Sequence, residues 1–133
     1  MSQENVELVR RMIRGWNDRA LRGVLSTAAA DVAWRPAVAS VIEGDTDRRG
    51  KDEVRQALLE IWSMWDQFEL VETQVRETDE GAVWLGEAHV RGREGIELDN
   101  PFGFRVVATE GLITRLEAFL SWEQALEAAG LSE

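Results

Sequence analysis

The sequence predicts an α+β fold, and three observations carry that prediction. The first half places apolar residues at three- and four-residue spacing, the mark of amphipathic helices. The second half alternates with period two between short glycine-containing turns, the mark of antiparallel strands. No repeat, low-complexity run or linker divides the 133 residues. Helices followed by a meander of strands collect on one face of a sheet. A chain this long is one domain, spanning 1–133, and buries roughly two thirds of the surface its unfolded form exposes.

The elements follow in order. Val6, Val9, Ile13 and Trp16 share a helical face, with Ser2 as the expected N-cap and an end near Asn17. A short second helix is expected over 20–28, then a strand over 31–36 ("DVAWRP") that proline closes. Residues 37–50 are rich in Gly, Asp and Arg, and are expected to form a mobile loop that gates whatever lies beneath. Val54, Leu58, Ile61 and Trp65 predict a third helix over 51–65. Four antiparallel strands are then expected over 68–78, 82–91, 96–109 and 112–120, separated by the turns "DEG", "GREG" and "EG". Ser121 and Gln124 fit a capping box for a last short helix that Gly130 ends.

Composition narrows the chemistry. The chain is 44% hydrophobic and 30% charged, and it contains no apolar window of about 18 residues to span a membrane. "MSQENVELVRRM" carries acids and reads as a helix start rather than a signal peptide, so cytoplasmic residence is expected. With no cysteine and one histidine, thiolate chemistry and multi-histidine metal sites are excluded within one chain. "DTDRRGKDE" interleaves carboxylates with Arg and Lys and lacks calcium-loop spacing, so it reads as a solvated loop and no metal or cofactor is expected. "RGREG" precedes no helix and reads as a turn rather than a phosphate cradle. A net charge of −10 repels phosphate backbones and anionic lipid, which leaves a small molecule or another protein as the expected partner.

Five stretches together resemble the SnoaL-like group of the nuclear transport factor 2-like superfamily. They are "MSQENVELVRR", "DVAWRP", "RRGKDEVRQAL", "EGLITRLEAF" and "EQALEAAGL", and they span nearly the whole chain. The resemblance implies a strongly curved antiparallel sheet wrapped around a long helix to form a cone with an internal cavity. Relatives of this kind include ketosteroid isomerase, limonene epoxide hydrolase, scytalone dehydratase, polyketide cyclases and proteins without enzyme activity. The implied function is therefore small-molecule binding, with a cofactor-free isomerase, cyclase, dehydratase or hydrolase as one form of it. A non-catalytic binding domain or a homodimeric scaffold is the other, since fold does not settle function. The positions where ketosteroid isomerase keeps its two carboxylic acids fall near Trp34-Arg35-Pro36 and Phe102-Gly103. The last-strand aspartate of the epoxide hydrolase falls near Ala118, so those known arrangements are absent here.

The candidate acid/base pair lies in "EAHVRG". Alternation puts Glu87 and His89 on one face of their strand with Val83, Leu85 and Arg91, close enough to bridge directly or through water. A carboxylate beside an imidazole can shuttle a proton near neutral pH. Matching "VWLGEAHV" to the corresponding epoxide hydrolase strand implies that this face looks into the cone. Beside the catalytic reading stands a structural one, two polar residues at a rim with Arg91 free to pair with Glu87. Trp16, Trp34, Trp62, Trp65, Phe102 and Phe104 come from elements expected to line the cavity, where they favour a flat apolar or aromatic ligand. Arg35 is expected to help orient it. Apolar residues on both faces of the later strands lead to the expectation of a homodimer through the outer face of the sheet.

Overall fold

Apolar residues at helical spacing along the start of the chain produce helix α1 (Glu4–Asn17), which buries Val6, Leu8, Val9, Met12, Ile13, Gly15 and Trp16 along one side. Glu4 and Glu7 in its first turn and Arg14 in its last complement the helix dipole. The computed structural model describes residues 3–37, 47–92 and 94–131. Its N-cap is Gln3, which makes no side-chain cap bond, and the expected cap, Ser2, lies outside the described residues.

Helix α2 (Leu21–Leu25) is shorter than the alanine-rich stretch suggested. The Thr27 hydroxyl donates to the Val24 carbonyl at 2.6 Å and the Thr27 carbonyl accepts from Ile113 N–H at 2.8 Å. Strand β1 (Ala28–Arg35) therefore begins where helix propensity alone would have continued. Gly15 is required between the first two helices, since a Cβ there would lie 2.7 Å from the Val24 nitrogen. Strand β2 (Arg48–Arg49) and helix α3 (Gly50–Met64) follow, so the expected loop ends in a strand. Residues 38–46 of that loop, and with them its expected gating role, lie outside the described residues.

Strands β3 (Trp65–Glu77), β4 (Gly81–Gly92), β5 (Glu97–Thr109) and β6 (Leu112–Phe119) form the expected meander, and helix α4 (Trp122–Ala128) closes the chain. The serine half of the expected α4 capping box forms, with the Gln124 N–H donating to the Ser121 hydroxyl at 3.0 Å. The six strands make one sheet in the order β2-β1-β6-β5-β4-β3. One pairing departs from the fully antiparallel expectation: β1 runs parallel to β6, with Trp34 opposite Leu116. A helix and the whole meander separate these two strands, and so long a connection permits a parallel pair that a hairpin forbids. Register shifts in β3, at the β1–β6 pairing and between Val107 and Ala108 interrupt the ladders, and bulges of this kind bend a sheet.

The inner face of the sheet holds Trp34, Leu70, Ala82, Trp84, Ala88, Phe102, Phe104, Val106, Leu116 and Ala118, all buried with α1 and α3 in the main core. On the outer face Val83 and Leu85 pack instead against Ala125 and Leu126 of α4, with Phe119 and Trp122 beside them. Gly103 admits this helix, because a Cβ there would come within 2.8 Å of the Ala125 Cβ. Val83 and Leu85, two of the apolar residues that suggested a partner subunit, are thus covered from within the chain. Lower on β6, Glu117 accepts from Arg105 at 3.0 Å and from Arg115 at 2.8 Å, and Arg115 also reaches Asp47 at 3.2 Å. Burial pushes the Glu117 carboxyl up, but the hydrogen bonds from the two arginines outweigh it and hold it below the usual range. Among the described residues no helix is long and apolar enough to cross a membrane.

Candidate functional site

The inner face of the sheet and the side of α3 do not meet completely, and the gap between them is a cavity of about 540 Å³. That volume suits a small organic ligand. Helix α3 supplies Ala57, Glu60, Ile61 and Met64 at helical spacing, while Trp16 comes from α1 and Trp34 from β1. Trp65 and Phe68 enter from β3, Phe102 and Phe104 from β5, and Ala118 and Leu120 from β6 and the residue after it.

The aromatic rings brace one another. Trp16 is the hub, edge-on to Trp34 at 6.0 Å, Trp62 at 6.5 Å, Phe68 at 5.2 Å and Phe104 at 6.4 Å between ring centroids. Phe102 stands 5.2 Å from Phe104 and 6.2 Å from Phe68 in the same edge-to-face manner. Such contacts are each worth about 0.5–1.5 kcal/mol beyond area burial, and they hold the wall in one shape. Polar clamps fix its frame. Asn17 donates to the Leu70 carbonyl at 2.9 Å and accepts from the Leu70 N–H at 2.8 Å, tying the end of α1 to β3. The Arg19 guanidinium donates to the Trp62 and Trp65 carbonyls, both at 2.8 Å, across the joint between α3 and β3. The Nε1 groups of Trp16 and Trp34 are buried and find no acceptor among the described residues. Both side chains line the cavity, but their nitrogens expose almost no surface to it, and Trp62 and Trp84, which do not line it, leave the same group unpaired.

Five of the aromatic residues singled out in the sequence, Trp16, Trp34, Trp65, Phe102 and Phe104, line the cavity. Trp62 does not. It is buried one layer behind Trp16, because α3 carries two neighbouring apolar stripes and Trp62 belongs with Val54 and Leu58 on the core side. Arg35 is also absent from the wall. It pairs in register with Glu117, faces the outer side, and borders a separate groove with Phe119, Gln124 and Glu127.

Glu87 and His89 do meet, with His89 Nε2 3.0 Å from Glu87 Oε1, but on the face opposite the cavity. The pairing of β4 with β5 is unbroken from Gly81 to Arg91, so alternation carries through: Ala82, Trp84 and Ala88 point to the core, while Val83, Leu85, Glu87 and His89 point away. The inward phase implied by the resemblance is thus reversed. Val83 and Leu85 share this outer face, where α4 rather than the cavity covers them. The side chains of His89 and Glu87 are 36% and 54% exposed, and Asp99 and Glu69 stand opposite His89 on the neighbouring strands. The hydrogen bond that His89 donates to the Glu87 carboxylate is the chief cause that raises the His89 pKa above its ordinary value; slight burial opposes it, and Asp99, Glu87 and Glu69 add to it by their charge.

Sequence reasoning missed Phe68, Arg48, Glu60, Ile61 and Met64 as wall residues. Among the described residues, Arg48 and Glu60 supply the wall's one cation and one carboxylate, with Arg48 Nη2 3.8 Å from Glu60 Oε1. The signal for three of them was present: Glu60, Ile61 and Met64, together with Ala57, form a helical stripe beside the core one.

Residues 9–116 match the model of the SnoaL-like domain family. No curated protein matches the sequence. Among solved structures, an NTF2-like protein of unknown function from Burkholderia pseudomallei superposes with a TM-score of 0.80 at 24% identity, over 97% of this chain and 98% of the other. TerC co-crystallised with polyporic acid gives 0.78 at 20% identity, over 95% and 97% of the two chains. SalBIII, an epoxide hydrolase/cyclase-like enzyme with a role in pyran ring formation in salinomycin, gives 0.76 at 13%, over 90% and 92%. At these identities the likeness is one of fold.

Proposed function

Because the chain belongs to the SnoaL-like domain family, we propose that it binds a small, flat, mostly apolar molecule in the aromatic cavity between α3 and the sheet. The observation that carries this reading is the cavity itself, about 540 Å³, with Trp16, Trp34, Trp65, Phe68, Phe102 and Phe104 on its wall. Such a wall favours a planar, mostly apolar ring system. TerC, a structure of the same fold, was co-crystallised with polyporic acid, which supports small-molecule binding without naming the ligand here.

A cofactor-free cyclase or related enzyme is the second reading, favoured by the cyclase-like relative and by Glu60 as a carboxylate on the wall. The Glu87–His89 pair supplies no chemistry to it from the far face. We further propose cytoplasmic residence and a homodimer through the part of the outer face that α4 leaves bare.

The test is a panel of planar aromatic ketones, quinones and their hydrocarbon analogues, read by thermal shift. A ligand held by the folded state alone raises the melting temperature. A panel that produces no shift at all sinks the reading.

A further inference from the structure

We propose that the ligand carries an anionic oxygen group, a carboxylate or an ionised enol or phenol, and that Arg48 recognises it by exchanging Glu60 for the ligand. This rests on the binding reading above and names the class of molecule bound.

The argument begins with register. Arg48 of β2 lies directly opposite Trp34 of β1, so its side chain shares the inner face with the unpartnered Trp34 indole. Opposed residues of an antiparallel pair hold their Cβ atoms roughly 4.5–5.5 Å apart, within common reach of one ligand group. Among the described residues Arg48 is the one cation on the wall, and the rest of that wall is overwhelmingly aromatic and aliphatic. A charge in such a place is either neutralised internally or kept available.

The geometry favours availability. The Arg48–Glu60 contact is 3.8 Å, with side chains 44% and 54% exposed. An ion pair that long and that wet is worth little, so Glu60 can turn to solvent at small cost when a better partner arrives. Elsewhere in the same molecule arginines are held firmly: Arg10 is joined to Glu72 by two hydrogen bonds, at 2.8 and 3.1 Å, and Arg105 to Glu80 and Glu117. Arg48 is left loosely paired beside the cavity. A planar carboxylate matches a guanidinium through two parallel hydrogen bonds, and an enolate offers it a charge-assisted single bond. The chain's net charge of −10 disfavours anions at long range, so any preference for one must come from this local group.

The experiment measures the dissociation constants of 2-naphthoate and its neutral isostere 2-naphthamide by calorimetry at pH 7.5, in the wild type, Arg48→Gln, Arg48→Lys and Glu60→Gln. The wild type should bind the carboxylate about tenfold more tightly, the size of one charge-assisted bond. In Arg48→Gln that ratio should fall to about one; Arg48→Lys should keep part of the preference and Glu60→Gln should retain or increase it. Equal affinity of the two probes in the wild type overturns the inference while leaving the binding reading intact. A preference that survives Arg48→Gln overturns it as well. If neither probe binds, both the inference and the reading beneath it fall.

Discussion

His89 shares a hydrogen bond with Glu87 on an open strand face, and three carboxylates stand near it: Glu87 on its own strand, Glu69 on β3 and Asp99 on β5. A histidine so placed is stabilised as the imidazolium, so its pKa should lie above 6.5 by NMR titration, and Glu87→Gln should bring it down. The sign for stability follows. Because the folded pKa is raised, the contribution is full below the ordinary value of 6.5 and fades as pH rises through the folded pKa. His89→Ala should leave cavity binding unchanged, which separates this arrangement from a catalytic one. A loss of ligand affinity in that variant would return the pair to the site.

At the scale of elements, α4 explains why the sequence could be read correctly for shape and incorrectly for phase. Strands, turns and the capping box were legible because each rests on local spacing: alternation in β4, glycine turns, Ser121 three residues before Gln124. The direction in which a strand faces is not local. With Val83 and Leu85 on one side and Ala82, Trp84 and Ala88 on the other, β4 is apolar on both faces, and only the docking of a helix 36 residues away, where Trp122 donates to the Gly86 carbonyl at 2.9 Å, decides the matter. The aromatic wall was legible from composition, whereas Arg48 was not, since its position follows from a two-residue strand paired to Trp34. Removing the α4 cap by Ser121→Ala should cost about 0.5–2 kcal/mol in denaturant unfolding. Gly103→Val should cost more, about 1–3 kcal/mol, because it drives a side chain into Ala125. Equal stability of the glycine variant and wild type would mean that α4 is not seated where the structure has it.

For the whole molecule, the bare part of the outer face sets the terms of any self-association. Glu69, Glu87, Glu97 and Asp99 are all exposed and carried on adjacent strands, so a second copy meeting this face brings like charges together. The proposed homodimer should therefore tighten as salt rises, seen as a growing dimer fraction in sedimentation at micromolar concentration. A monomer at every ionic strength would count against it. The parallel pairing of β1 with β6 has a further consequence, for the newly made chain. Trp34 enters the cavity wall from β1, yet the strand that holds it through Leu116 is made only after α3 and three further strands of the meander. A nascent chain lacking β6 has lost one of the two partners of β1 and the Ala118 side of the wall, so the pocket is incomplete until β6 is made. Until then the tryptophans of α1 and β1 are apolar surface in search of cover, and a pairing across so much sequence closes slowly. Interrupted translation would thus release a sticky fragment rather than a weakened binder.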